Sequence, residues 1–205
     1  MPTIATSRAT KAIVFIVACA LSTWACAHTG VESQLHNHFL TGFVHPLLGL
    51  DHMAAMLAVG VWSALTARHA GRELLWGPLG FANLLLVGAM LGLQGVEIPV
   101  VEPMIAASLL VLGLLVVSRL HLSGPAVALL VGVFAIFHGL AHGLELASSS
   151  SAFETLAGML TATLLLHVAG LAIGWRLRHA NVWLARFAGA AVAVFGSGLL
   201  LLQLS

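Results

Sequence analysis

Charge is almost missing from this chain: 7% of its 205 residues are charged, against 60% hydrophobic. A soluble domain carries roughly 25% charged residues, so no face of this protein is polar enough to be shown to water throughout. Lipid is the solvent for most of it. The net charge is only +1, and no basic tract is present, which removes nucleic acid from the expected partners. A transmembrane barrel needs short alternating strands, and no such alternation occurs. A nucleotide-binding loop of the Gly-x4-Gly-Lys-Ser/Thr kind is also lacking, so ATP would act only through a partner. Cysteine is scarce: Cys19 and Cys26 are the only two.

Both cysteines fall in what reads as a secretory signal. Arg8 and Lys11 form a positive start, residues 12–21 a short apolar core, and Ala25-Cys26-Ala27 the small residues at a cleavage site. The apolar core is too short to cross the ~30 Å hydrocarbon layer comfortably. An uncleaved anchor helix, or a lipoprotein-type box at Ile16-Val17-Ala18-Cys19, are the competing readings. Cleavage after Ala27 defines two parts, a signal peptide over residues 1–27 and a membrane domain over 28–205. It would also remove every thiol, leaving imidazole, carboxylate, amide and backbone to build any metal site.

Six apolar stretches follow, at about 42–67, 75–93, 100–118, 125–146, 153–175 and 183–204, each near the twenty residues that a helical span requires. The expected fold is therefore all-α, a polytopic bundle of about six transmembrane helices, because lipid forces each segment to satisfy its own backbone. An exported signal puts the mature N-terminus outside the cytoplasm. The basic residues agree: Arg68, Arg72, Arg119, Arg176, Arg178 and Arg186 all fall in connections placed on the cytoplasmic side. Glu32, Glu97, Glu102, Glu145 and Glu154 lie on or near the outer face, where they attract cations modestly. The inner membrane of a bacterium is the expected location. Gly88-x3-Gly92 and Gly139-x3-Gly143 have the spacing that lets membrane helices approach closely.

Ionisable groups inside a span cost about 2.5–3.5 kcal/mol each and call for a reason. One cluster, His45-Pro46 through Asp51-His52, stands in the outer half of the first span. His45 and His52 share a helical face, whereas Asp51 is turned from it by about 100°. The three converge on one cation only if the helix unwinds locally, and Pro46 permits a break. A second cluster places His138, His142 and Glu145 at i, i+4 and i+7, on one stripe of the fourth span. Imidazoles one turn apart chelate divalent metals, but the glutamate of the zinc-protease helix is absent here. Both clusters fall in the outer half, which makes one shared site the natural expectation. Glu102, before Pro103, opens the third span, as an interfacial carboxylate or a further ligand. His167 lies alone and deep in the fifth span, either bonded to a facing helix or part of the path. Outside the membrane, His28 would become the N-terminal residue, its amine and imidazole forming a bidentate chelator. His36 and His38 would pass an ion onward. His69, His121 and His179, at the cytoplasmic ends, read as ordinary interfacial residues.

Imidazole with carboxylate suits Ni, Zn, Co or Cu(II) rather than Mg or Ca, and these donors do not choose among the first group. The run from Gly42-Phe43-Val44-His45-Pro46 through Asp51-His52 to Gly60 resembles the signature of the HupE/UreJ family. So do Val101-Glu102-Pro103 with Ser108, Phe137-His138-Gly139-Leu140-Ala141-His142-Gly143 with Glu145, Leu166-His167 with Gly170, and Ala27-His28-Thr29-Gly30. The likeness covers essentially the whole chain. It implies uptake of Ni(II), with Co(II) or Zn(II) as other candidates, in support of hydrogenase or urease maturation. By the same likeness His45, Asp51 and His52 are the residues transport requires. The expected protein is thus a transporter without a prosthetic group rather than an enzyme, its partners a divalent metal ion and the bilayer. A homo-oligomer is compatible with it, and so is an indirect link to maturation proteins. The rival reading is an intramembrane zinc hydrolase, in which the same donors activate a water; a metal sensor or store is a third.

Overall fold

In the computed structural model residues 37–204 are described. The expected signal and its cysteines, together with His28, Glu32 and His36, lie outside the described residues. Seven helices follow one another: α1 (His38–Leu48), α2 (Leu50–Thr66), α3 (Trp76–Leu93), α4 (Val101–Ser118), α5 (Gly124–Glu145), α6 (Ala152–Arg178) and α7 (Val182–Leu204), with a 3-10 turn (Arg72–Leu75) leading into α3. No strand occurs among the described residues. Five helices are long and apolar enough to cross a membrane, and the α1–α2 pair makes a sixth when counted as one broken span. The five unbroken helices start and stop within three residues of the stretches read from hydropathy. Prolines mark several starts. Pro78, Pro103 and Pro125 sit in the first turns of α3, α4 and α5, where a missing N–H costs no intrahelical bond.

The first span departs from a simple helix. It is two helices bent by 77°, and the chain leaves helical geometry at Gly49 (φ −76°, ψ 106°). Pro46 lies inside α1 and already deletes one i→i−4 bond. The helix ends one turn later, with the Gly49 N–H on the His45 carbonyl at 3.1 Å. The expected break at Pro46 is thus displaced to Gly49, which separates the elements carrying His45 and His52.

Backbones approach closely along three helix pairs. α3 lies against α5, α4 against α7, and α1 with α2 against α6. The two glycine pairs singled out in the sequence face each other in the first of these. A Cβ on Gly88 would strike Ile136, and one on Gly139 would strike Leu85; Gly92 and Gly143 meet in the same seam. Gly42 on Thr155 and Gly158 on Phe39 do the same for α1 and α6. Such contacts replace the hydrophobic effect, which gives no drive between helices already in lipid. Between the pairs sits a core whose largest fully buried side chains include Trp62, Phe81, Met56, Leu85 and Leu109.

The basic end is tied together by polar contacts to helix ends. The Trp62 Nε1–H donates to the Leu120 carbonyl at 3.0 Å, and His121 Nδ1 lies 2.9 Å from the Thr66 carbonyl. Arg178 donates to the carbonyls of Ala64 and Arg68, each at 3.4 Å. The Arg68 N–H donates to Glu73 at 2.7 Å, and that bond holds the Glu73 carboxyl below its ordinary range. His179 packs edge-on to Trp175, ring centroids 6.4 Å apart.

Candidate metal site

The bend at Gly49 decides what the first span offers. His45 is near the end of α1, and Asp51 and His52 are in the first turn of α2. The Asp51 carboxylate accepts from the His52 backbone N–H at 2.8 Å and from its ring Nδ1–H at 2.9 Å. A carboxylate in the first turn of a helix is also favoured by the helix dipole. With Nδ1 committed, the lone pair of His52 stands on Nε2, a buried atom without a hydrogen-bond partner. This is the carboxylate–histidine arrangement that fixes the tautomer and orientation of a metal ligand. Asp51 thus holds His52 through one carboxylate oxygen and is not among the three residues whose ligand atoms converge.

α5 brings the other half. His45, His52 and His142 each offer a nitrogen, and these ligand atoms lie within 4.8 Å of one another. The ring centroids of His142 are 4.7 Å from His52 and 4.8 Å from His45. Imidazole nitrogens at about 2.0–2.1 Å around one tetrahedral ion stand about 3.4 Å apart, so the trio would have to close by up to about 1.4 Å to hold one. His142 is buried, and its Nδ1 is 3.6 Å from the Glu145 carboxylate, whose side chain is 51% exposed. His52 and His142 thus each have a carboxylate beside the ring. Two negative charges stand one ring away from the point where a dication would sit, which offsets much of the cost of bringing it there.

His138 lies one turn before His142 on the same stripe and is fully buried. The Ser108 hydroxyl donates to the Ile105 carbonyl at 2.6 Å, so it receives the His138 Nε2–H at 3.1 Å as an acceptor. The remaining lone pair of His138, on Nδ1, is buried and unpartnered, and its ring stands 5.1 Å from that of His52. His138 thus stands beside the trio with one unpartnered ring nitrogen. The other candidates are not gathered in. His38 is exposed at the start of α1, and Glu102 is exposed in the first turn of α4. His167 is buried on α6, away from the trio, with the Phe81 ring between it and His138.

Three features of this site had no sequence signal strong enough to act on. Ser108 was visible only as part of a motif, with nothing to say that it pairs with His138. Phe81 is one apolar residue among many. Gly49 as the bend could have been suspected from a glycine one turn after a proline and just before an acid–histidine pair.

This chemistry coincides with what comparison with known proteins finds. A profile of the "HupE / UreJ protein" family matches residues 16–199. The chain belongs to the HupE/UreJ family. It is also 40% identical over 192 residues to Protein HupE of Rhizobium leguminosarum bv. viciae, covering 93% of this chain and 97% of that one. No solved structure matches it. Family membership together with the apolar helices makes this a multi-pass membrane protein, whose family context implies a metal ion as substrate.

Proposed function

We propose that the protein is a permease of the bacterial inner membrane that takes up divalent transition-metal ions, Ni(II) foremost. One observation carries the reading: three imidazoles from two separate spans, His45, His52 and His142, with ligand atoms within 4.8 Å of one another beside a break in a membrane helix. Broken helices at membrane depth are where secondary transporters bind their substrates, since irregular backbone is tolerated there only beside a cavity or ion. Three nitrogens suit nickel, cobalt or zinc, and the family resemblance favours nickel.

In this scheme the ion arrives from the periplasmic side, sheds part of its water and binds the trio. Asp51 and Glu145 hold the rings and supply compensating charge, and His138 receives the ion next. The mature N-terminus, with His28, His36 and His38, stands on the periplasmic side and concentrates the ion there. A homo-oligomer, and delivery towards hydrogenase or urease maturation, belong to the same proposal. A transporter needs no bound nucleophile or prosthetic group, and none is assigned.

The test is uptake of radioactive nickel by cells lacking their own importers, at matched membrane expression. Wild type is expected to accumulate nickel, with His52→Ala and His142→Ala each reducing uptake to background, and excess cobalt or zinc ranking the ions. A correctly inserted wild type that carries no nickel would remove this reading. The orientation has its own check. Ser148→Cys is expected to react with an impermeant thiol reagent on intact cells, and Arg72→Cys only after permeabilisation; the reverse pattern would invert the topology.

A further inference from the structure

Below the outer trio, the bundle contains further polar atoms that find no partner. His167 is 1% exposed, and neither ring nitrogen has a hydrogen bond. Thr163, one turn earlier on α6, is also 1% exposed, and its hydroxyl is likewise without a hydrogen-bond partner. Buried hydroxyls and imidazoles are nearly always satisfied, because leaving one unpaired costs about 1–3 kcal/mol. Two such residues, at i and i+4 on one stripe of a helix, are a pair of donors with nothing in the protein to donate to or accept from. The helical alternative for Thr163, a bond to the carbonyl four residues back, is made by Thr155 and Thr161 on the same helix but not by Thr163.

Their position is defined by helix packing. The backbone of His167 and Gly170 lies against Gly60 of α2, and Gly60 is eight residues beyond His52, a rise of about 12 Å at 1.5 Å per residue. The Phe81 ring, itself fully buried, stands 5.5 Å from His138 and 5.3 Å edge-on from His167. Donors above and donors below are therefore separated by one aromatic side chain, in an order that runs from His45, His52 and His142 to His138, then Phe81, then His167 and Thr163.

We propose that His167 and Thr163 form a second, deeper coordination site for the transported divalent metal ion, which the ion reaches from His138 when the Phe81 ring turns aside. The proposal rests on the permease reading and adds to it an inner stop. Its donors are chemically different from those outside. The outer trio has two carboxylates behind its rings, whereas the inner pair is one neutral imidazole and one hydroxyl, so the inner site holds a dication more weakly and keeps more of its water. That order suits passage, in which a site must bind well enough to admit an ion and weakly enough to release it. Phe81 then acts as a barrier, because a closed ring keeps the two sites from joining into one continuous polar path.

The experiment uses the purified full-length chain, with Ni(II) alone as the probe, in equilibrium binding and in flux into liposomes. Wild type is expected to bind ions in a tight and a weaker class. His167→Phe keeps the bulk of a buried aromatic while removing both nitrogens; it should lose the weaker class, keep the tight one, and reduce flux at least about tenfold, as loss of a coordination partner does. Thr163→Val, nearly isosteric, should weaken the same class without touching the tight one, and it decides the matter if the histidine variant does not fold. His52→Ala should show the converse, losing the tight class and retaining the weaker. If wild type carries nickel and both α6 variants match its isotherm and flux, the inner site is overturned while the permease reading stands. Flux lost with an unchanged isotherm would assign His167 to packing and also overturn it. If wild type neither binds nor carries nickel, the permease reading itself fails and the inner site with it.

Discussion

At the scale of single residues, the proposed site separates candidate ligands from the groups that hold them. His52 presents Nε2 because Asp51 occupies Nδ1 at 2.9 Å, and His138 presents Nδ1 because Ser108 occupies Nε2 at 3.1 Å. A carboxylate in that supporting position contributes about ten- to a hundredfold in metal affinity. Asp51→Asn is therefore expected to weaken nickel binding by about ten- to a hundredfold while leaving the fold intact, measured by an equilibrium isotherm on purified protein. Glu145→Gln should cost less, because its carboxylate is 3.6 Å from His142 and half exposed, where water screens it. Equal losses for the two variants would mean that both carboxylates ligate directly. The candidates were mostly legible in the sequence, since histidine and acid inside an apolar run stand out on cost alone. Their division into ligand and support was not. It depends on which ring nitrogen meets which neighbour, and helical spacing carries no such information.

At the scale of elements, the decisive feature is the bend at Gly49. Its dihedrals are ones that any residue adopts, so backbone conformation does not account for the glycine there. Space does: a Cβ at that position would lie 3.2 Å from the Asp51 carboxylate and 3.3 Å from His52 Nδ1, tighter than ordinary contact. Gly49→Ala is expected to displace the Asp51–His52 pair and lower nickel uptake with little change in the amount of protein in the membrane; wild-type uptake would show that the pair has room to yield. The glycine seam between α3 and α5 makes a different kind of demand. A methyl group at Gly139 would strike the Leu85 carbonyl, and backbone gives way less readily than a side chain. Gly139→Ala should therefore destabilise the bundle by about 1–3 kcal/mol, the usual cost of overpacking, seen as a lowered melting temperature in detergent. An unchanged melting curve would show that α3 and α5 part freely. The glycine spacing announced close packing, but only the folded chain shows that the two motifs pack on each other.

At the scale of the whole molecule, buried imidazoles govern how the protein responds to its surroundings. A metal ligand must be unprotonated, so protons compete with the ion for the same lone pairs. Acid therefore works against binding: uptake is expected to fall as the outer medium is made more acidic, and initial rates of nickel uptake over a pH series check it. A flat profile would mean that histidine ligation does not limit transport. The arrangement of spans also keeps every arginine among the described residues at one end of the bundle: Arg68 and Arg178 share a carbonyl contact there, and Arg119, Arg72, Arg176 and Arg186 lie in or beside the same connections. Asp51, Glu97, Glu102, Glu145 and Glu154 lie with the histidine trio toward the other end, whereas Glu73 stays at the basic end, bound to the Arg68 N–H.

Composition and apolar runs were enough to establish the class of the protein and the limits of its helices. Lipid admits few charges and leaves no backbone group unpaired, so hydropathy translates directly into spans, and histidines within them become conspicuous. Which of those histidines meet was settled only by the packing of the folded chain. His45 and His52 come together across a bend one turn after a proline, His142 joins them only because packing brings the end of α5 up to that bend, and His167 is set apart by the ring of Phe81. Such meetings are made by contacts between segments distant along the chain, and short-range spacing does not encode them.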